Sequence, residues 1–281
     1  MIEQLIRYEP AVRLISFLLV FGTMAALELF VSARALRVPR GHRWPRNLGL
    51  TVINTAILRV IFPAGATATA LWASAHDFGL LRHLALPQPV RIVLAVILLD
   101  LILYTQHVAF HAVPLLFRFH QVHHADIDFD VTLGARFHPV EMVLSMLVKL
   151  AAVAALGAPP AAVVLFEVIL SVTSLFSHAN VRVQGGSDRV LRWILVTPAM
   201  HVIHHSAAVD ESNSNFGFNL PWWDRLFGTY SAEPKGPLQV GLPAYQGLEE
   251  QSLDWMLALP FHSGPEPDNA PPRVAAREDS A

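Results

Sequence analysis

Long apolar runs separated by short polar loops dominate the first two thirds of the chain. The first covers about 12–33, "VRLISFLLVFGTMAALELFVSA", the second about 48–73, "LGLTVINTAILRVIFPAGATATALWA", and the third about 90–113, "VRIVLAVILLDLILYTQHVAFHAV". About 20 apolar residues carry a helix across a bilayer, and these three runs meet that length. Two shorter runs, about 140–156 and 161–177, flank "GAPP". They read as a tilted membrane hairpin or as a re-entrant pair that does not fully cross. A buried helical hairpin of a soluble domain is the competing reading, and the apolar character of the rest of the chain weighs against it. The pattern therefore predicts an all-α integral membrane bundle of about four to five membrane helices. Beyond residue 182 the chain turns amphipathic and polar, which predicts a helical cap. The final "SGPEPDNAPPRVAAREDSA" has the composition of a disordered tail.

Composition sharpens this picture. Of 281 residues, 53% are apolar and only 15% charged, against about 25% charged in soluble domains. The mean hydropathy is +0.44. The absence of cysteine excludes disulfides, iron–sulfur clusters and thiolate metal sites. A net charge of −2 with no basic face gives no sign of nucleic acid as a partner. "MIEQLIRYEP" lacks the basic start of a signal peptide, so the first apolar run is expected to be a retained membrane helix. The loop after it carries Arg34, Arg37, Arg40, Arg43 and Arg46. The positive-inside rule places that loop in the cytoplasm, with the N-terminus outside. Following the runs in order brings every grouped histidine to the same cytoplasmic face, and Arg182, Arg189 and Arg192 agree with that placement.

Those histidines are the chemistry of the sequence. His107 and His111 are spaced i, i+4; His120, His123 and His124 are spaced i, i+3, i+4; His201, His204 and His205 repeat that spacing. On helices each group shares one face. At this histidine content a given His-x-x-His-His arises by chance in roughly 0.03 chains of this length, and here it occurs twice. Neutral imidazole ligates iron, zinc and copper. Zinc takes four ligands and iron six at most, so eight grouped imidazoles point to two metal ions. His178, in "FSHANV", falls on the same side and is a candidate ninth ligand. His138, in "RFHPVE", is weighed as a ligand, as a support to one, or as a helix-start residue. Asp100 and Glu141 are candidates to accept the second N–H of a ligating imidazole, or to be ordinary helix charges. His42, His76, His83 and His262 stand alone and carry no such reading. Trp222 and Trp223 read as an interfacial aromatic belt.

The set "DLILYTQHVAFH", "HQVHH", "RFHPVE", "HANV" and "HVIHHS…NSNFGFNLPWWDRLFGTY", over about 95–230, resembles the fatty acid hydroxylase superfamily, which includes sterol desaturases. The resemblance implies a membrane-bound, non-haem di-iron oxygenase that hydroxylates or desaturates a sterol-like or long alkyl lipid with O2 and external electrons. It implies that His107, His111, His120, His123, His124, His201, His204 and His205 ligate two iron ions, with His178 as a further ligand and zinc able to substitute. Fatty acid 2-hydroxylases commonly carry a second His-x-x-x-His before the last group. Here "HANVR" offers Asn180 and Arg182 but a single histidine. The likeness shifts toward sterol desaturases and alkylglycerol monooxygenase-like proteins. No fused cytochrome b5 region is legible, so the expected electron donor is separate, cytochrome b5-like or a ferredoxin with its reductase. The expected division is N-terminal membrane helices over 1–88, a catalytic region over 89–235, and a polar tail over 236–281. Asn180 joins His138, Asp100 and Glu141 among the residues expected around the metals.

Rival readings are a zinc-dependent membrane hydrolase and a non-catalytic metal- or haem-binding membrane protein. The first lacks a His-Glu-x-x-His motif. A haem-carrying form of the second calls for isolated histidines at membrane depth rather than clusters at one rim. Ala- and Arg-rich, Lys-poor usage suggests a bacterial inner membrane.

Overall fold

The computed structural model describes residues 2–262; the segment expected to be disordered, 263–281, lies outside them. Among the described residues the regular elements are all helical. In chain order they are α1 (Ile2–Arg7), α2 (Glu9–Phe30), α3 (Arg40–Ile61), α4 (Gly65–Ala75), α5 (Gln88–Ala112), α6 (Pro114–His124), α7 (Pro139–Leu156), α8 (Pro160–Ser177), α9 (Gly185–Leu191), α10 (Pro198–His204), α11 (Val209–Ser212), α12 (Trp222–Phe227) and α13 (Leu253–Ala258). Five segments are long and apolar enough to cross a membrane: α2, α3 with α4, α5, α7 and α8.

The second apolar run is not one helix. α3 stops at Ile61 and α4 begins at Gly65. Pro63 disfavours helical backbone at Phe62 and offers no N–H of its own, which accounts for the break. The hairpin of α7 and α8 has 18 residues in each arm, about 27 Å of helix. Its turn meets the loop between α4 and α5, at the end of the bundle away from the histidines. Gly157 closes α7 in the left-handed region at φ 59°. A Cβ there would stand 2.5 Å from Phe78 O, so glycine is needed for the two loops to touch. Both arms are long and apolar enough to cross a membrane, as the full hairpin reading requires.

The core between α4, α5, α7 and α8 mixes small and large residues: Ala66, Ala70, Ala95, Leu99, Leu103, Val153, Ala162, Val163 and Phe166. Small side chains let these helices approach closely, which is how helices associate in lipid. At the histidine end, the exit of α2 is bonded to the exit of α8 through Ala33 N to Asn180 O (3.1 Å) and Arg182 N to Val31 O (2.9 Å).

Residues 236–262 do not behave as a polar tail. Met256 and Leu259 are fully buried against Leu50, Val122 and Ala125, beneath α6. "LDWMLALPF" held enough apolar side chains to predict this packing. The N-terminal helices are equally committed to the rest of the fold. Arg43 of α3 is completely buried and pairs with Asp126 (2.7 Å) and Asp130 (2.6 Å).

Candidate metal centre

Prolines set the frame on which the histidines sit. Val113 precedes Pro114 and is extended, which ends α5 and turns the chain into α6. The last turns of α5 then face α6. Pro198 starts α10 in the same way. Gly134, in the loop after α6, approaches the end of α8 so closely that a Cβ would lie 2.9 Å from Ser174 O and 3.3 Å from His178 Nδ1.

Nine buried histidines converge in two adjoining groups. Group one comprises His107, His111, His120, His124 and His204; group two comprises His123, His178, His201 and His205. Within each group the candidate ligand atoms all lie within 4.8 Å of one another. The repeated His-x-x-His-His words are not one group each. His120 and His124 enter group one while His123 enters group two; His204 enters group one while His201 and His205 enter group two. The groups touch through the stacked rings of His124 and His205, whose centroids are 4.5 Å apart.

Where two rings of a group meet nitrogen to nitrogen, both nitrogens are Nε2. His107 and His120 Nε2 are 3.1 Å apart, His111 and His124 3.2 Å, and His120 and His124 3.2 Å. In group two, His178 Nε2 lies 3.2 Å from that of His123 and 3.0 Å from that of His201. Two imidazole nitrogens bound at about 2.1 Å to one ion, at right angles, stand about 3 Å apart. Five of the Nδ1 atoms face outward to oxygen acceptors. His107 donates to Phe216 O (2.8 Å), His123 to Arg136 O (3.1 Å), His178 to Ser174 O (2.7 Å) and His204 to Ser214 O (2.8 Å). His120 Nδ1 donates to Glu141 Oε1 at 2.7 Å. A carbonyl can only accept, so Nδ1 carries the proton and Nε2 keeps its lone pair. This is how ligating imidazoles are held in other metal sites.

Burial leaves several of these nitrogens without a partner: His204 Nε2, His201 Nδ1 and both nitrogens of His205. Buried polar atoms are normally satisfied. Burial, reinforced by mutual repulsion, holds His120, His123, His124, His201, His204 and His205 well below the ordinary imidazole range. They are neutral at neutral pH, the form that binds metal. The donor set therefore fits two metal ions.

The remaining expected residues are placed differently. His138 caps α7, accepting from Val140 N at 3.2 Å, and its Nε2 faces Leu257 O at 3.3 Å. Its ring belongs to neither group, so the helix-start reading describes it. Asp100 does not meet an imidazole; it accepts from Trp223 Nε1 (2.8 Å) and Leu220 N (3.3 Å). It lies two helical turns before His107 on α5, too far down to reach the centre. Asn180 ties the exit of α2 to that of α8, accepting from Arg34 N at 3.0 Å and donating to Arg34 O at 2.8 Å.

Sequence reasoning missed the frame behind the centre. Arg136 donates to Val122 O (2.8 Å) while its own carbonyl holds His123. Gln251 joins Arg136 Nη1 (2.8 Å) to Ala125 O (3.1 Å). Asp126 and Asp130 anchor the loop to Arg43. The alternation of acid and apolar residues in "DIDFDV" was the available signal. Phe216 and Phe218 also escaped notice; their rings lie 5.6 and 4.8 Å from that of His107.

The family model described as fatty acid hydroxylase matches residues 92–229, a stretch that contains all nine histidines. The chain is 31% identical over 149 residues to an ornithine lipid hydroxylase of Rhizobium tropici, covering 53% of this chain and 44% of that protein. It is 31% identical over 173 residues to a very-long-chain aldehyde decarbonylase of Oryza sativa, covering 57% and 27%. It is 29% identical over 133 residues to an alkylglycerol monooxygenase of Xenopus tropicalis, covering 46% and 28%. The chain thus spans less than half the length of each of these relatives. No solved structure matches it significantly.

Proposed function

With residues 92–229 belonging to the fatty acid hydroxylase family, we propose that the protein is a membrane-embedded di-iron oxygenase acting on a lipid. Group one and group two each hold one iron, with His107, His111, His120, His124 and His204 on one ion and His123, His178, His201 and His205 on the other. The iron pair supplies the chemistry of O2 reduction and removal of hydrogen from an unactivated C–H bond. In hydroxylation, R–H, O2, two electrons and two protons give R–OH and water. The electrons come from a separate donor, cytochrome b5-like or a ferredoxin.

The chain's own part is geometric. Outward-facing Nδ1 bonds lock the rings of His107, His120, His123, His178 and His204 and leave their Nε2 as the ligand. Phe216 and Phe218 line group one with apolar surface and exclude water from it. The centre lies at one end of the spanning helices, the end at which a lipid substrate would be met. The arginine-rich loop at that end supports a cytoplasmic face, and composition supports a bacterial inner membrane.

The observation that carries this reading is the convergence of nine buried imidazoles into two touching groups. It leaves little to the rivals. Nitrogens about 3 Å apart leave no room for a haem between them. A hydrolase needs a base beside the metal, yet Glu141 meets His120 on the Nδ1 side, away from the centre. The test is incubation of iron-loaded protein with membrane lipid extracts, an electron-donor system and 18O2. One 18O atom in a lipid hydroxyl supports hydroxylation. A new alkene without label supports desaturation. No O2-dependent change in any lipid contradicts the proposal.

A further inference from the structure

An apolar surface lies outside the five spanning segments, at the histidine end of the bundle. It comes from two stretches of the polar cap. Val190, Trp193 and Ile194 lie at and beyond the end of α9; Trp222, Leu226 and Phe227 lie on α12. All six are exposed, Leu226 by 68% and Trp193 by 60%. The two stretches form one surface. Trp222 Nε1 donates to Trp193 O at 2.7 Å. The Arg225 guanidinium sits over Trp193 (4.0 Å) and Tyr230 (3.8 Å) and donates to Arg192 O at 3.0 Å. An apolar patch of this kind facing water marks a binding surface or a liability.

Two independent ties set its depth. On α5, Asp100 accepts from Trp223 (2.8 Å), and Tyr104 bonds Thr229 (2.9 Å) and stacks on Phe227 (5.4 Å between centroids). Asp100 and Tyr104 precede His107 by seven and three residues, which places them about 10 and about 4.5 Å toward the middle of the bundle. On α8, Thr173 is bonded to Asn219. It precedes His178 by five residues, about 7.5 Å along the helix. Residues 219–229 therefore lie beside the spanning helices, below the level of the metal centre.

We infer that the surface formed by residues 190–194 and 222–227 is seated in the bilayer, against acyl chains and the interface, as a membrane contact separate from the five spanning helices. Trp193 and Trp222 are the residue type that favours this depth. The same segment carries Phe216 and Phe218 onto the rings of group one, so the membrane contact and the wall of the centre are one stretch of chain.

The absence of cysteine permits a direct test. Nitroxide labels are placed singly at Leu226→Cys and Ile194→Cys, two exposed positions whose substitution disturbs no buried contact. Leu19→Cys, on the exposed face of α2, is the lipid reference, and Glu233→Cys, in an exposed loop, is the water reference. The protein is reconstituted in phospholipid vesicles. Collision rates are measured with O2, which concentrates in lipid, and with a water-soluble nickel chelate. Labels at 226 and 194 that match the Leu19 reference support the inference. Labels that match the Glu233 reference overturn it, as do labels that neither reagent reaches, which would mean that a second protein covers the patch. A Leu19 label that reads as water overturns the spans and the inference together.

Discussion

Glu141 Oε1 lies 2.7 Å from His120 Nδ1, and both side chains are buried. The carboxylate fixes the ring so that Nε2 faces group one. Such supporting acceptors change metal affinity by about 10- to 100-fold. Glu141→Ala is expected to weaken iron binding by that factor, and Glu141→Gln, which keeps an acceptor oxygen, by less. Competition with a chelator checks the order.

The division of each His-x-x-His-His word between the groups gives a second expectation. His120→Ala removes a ligand from group one and His123→Ala from group two. Each variant is expected to retain about one iron per chain, each in a different ligand set. Mössbauer or EPR spectra of the two variants should therefore differ. Identical spectra, or complete loss in both, would contradict separate groups.

Arg43 is fully buried between Asp126 and Asp130. Removing one partner of a buried ion pair leaves an uncompensated charge, at about 3–5 kcal/mol. Arg43→Ala should destabilise the protein by that amount, and Arg43→Lys by less because one bond of the fork survives. Unfolding midpoints in detergent measure both.

These residues mark where the sequence was legible. The spans read well because their apolar runs are long, and α5, α7 and α8 begin and end within a few residues of expectation. Spacing placed the grouped histidines on shared helical faces, and their order along the spans placed all of them at one end. Which histidine joins which group was not legible, because it depends on the packing of α6 against α10. Arg43 was counted among loop arginines, since nothing local to "PRGHRWPR" says that its side chain turns inward to acids more than 80 residues away. Asp100 shares the stripe of His107 on α5, and helical periodicity does not reveal that Trp223 takes it.

The metal-free protein should be acid-sensitive. Burial and neighbouring imidazoles depress His120, His123, His124, His201, His204 and His205 well below 6.5. Above that pH, folded and unfolded chains both hold them neutral. As pH falls below about 6.5, the unfolded chain takes up protons that the folded chain refuses, and stability is lost. Melting temperatures of metal-free protein should be level from about pH 7 to 8 and fall below about 6.5. A flat profile down to pH 5 would contradict this.

The central claim is a two-ion histidine centre, and elemental analysis of protein purified gently from iron-supplied cells tests it most directly. About two iron per chain are expected, with a deficit in His124→Ala, from group one, and in His205→Ala, from group two. Negligible metal in the unaltered protein would contradict the account.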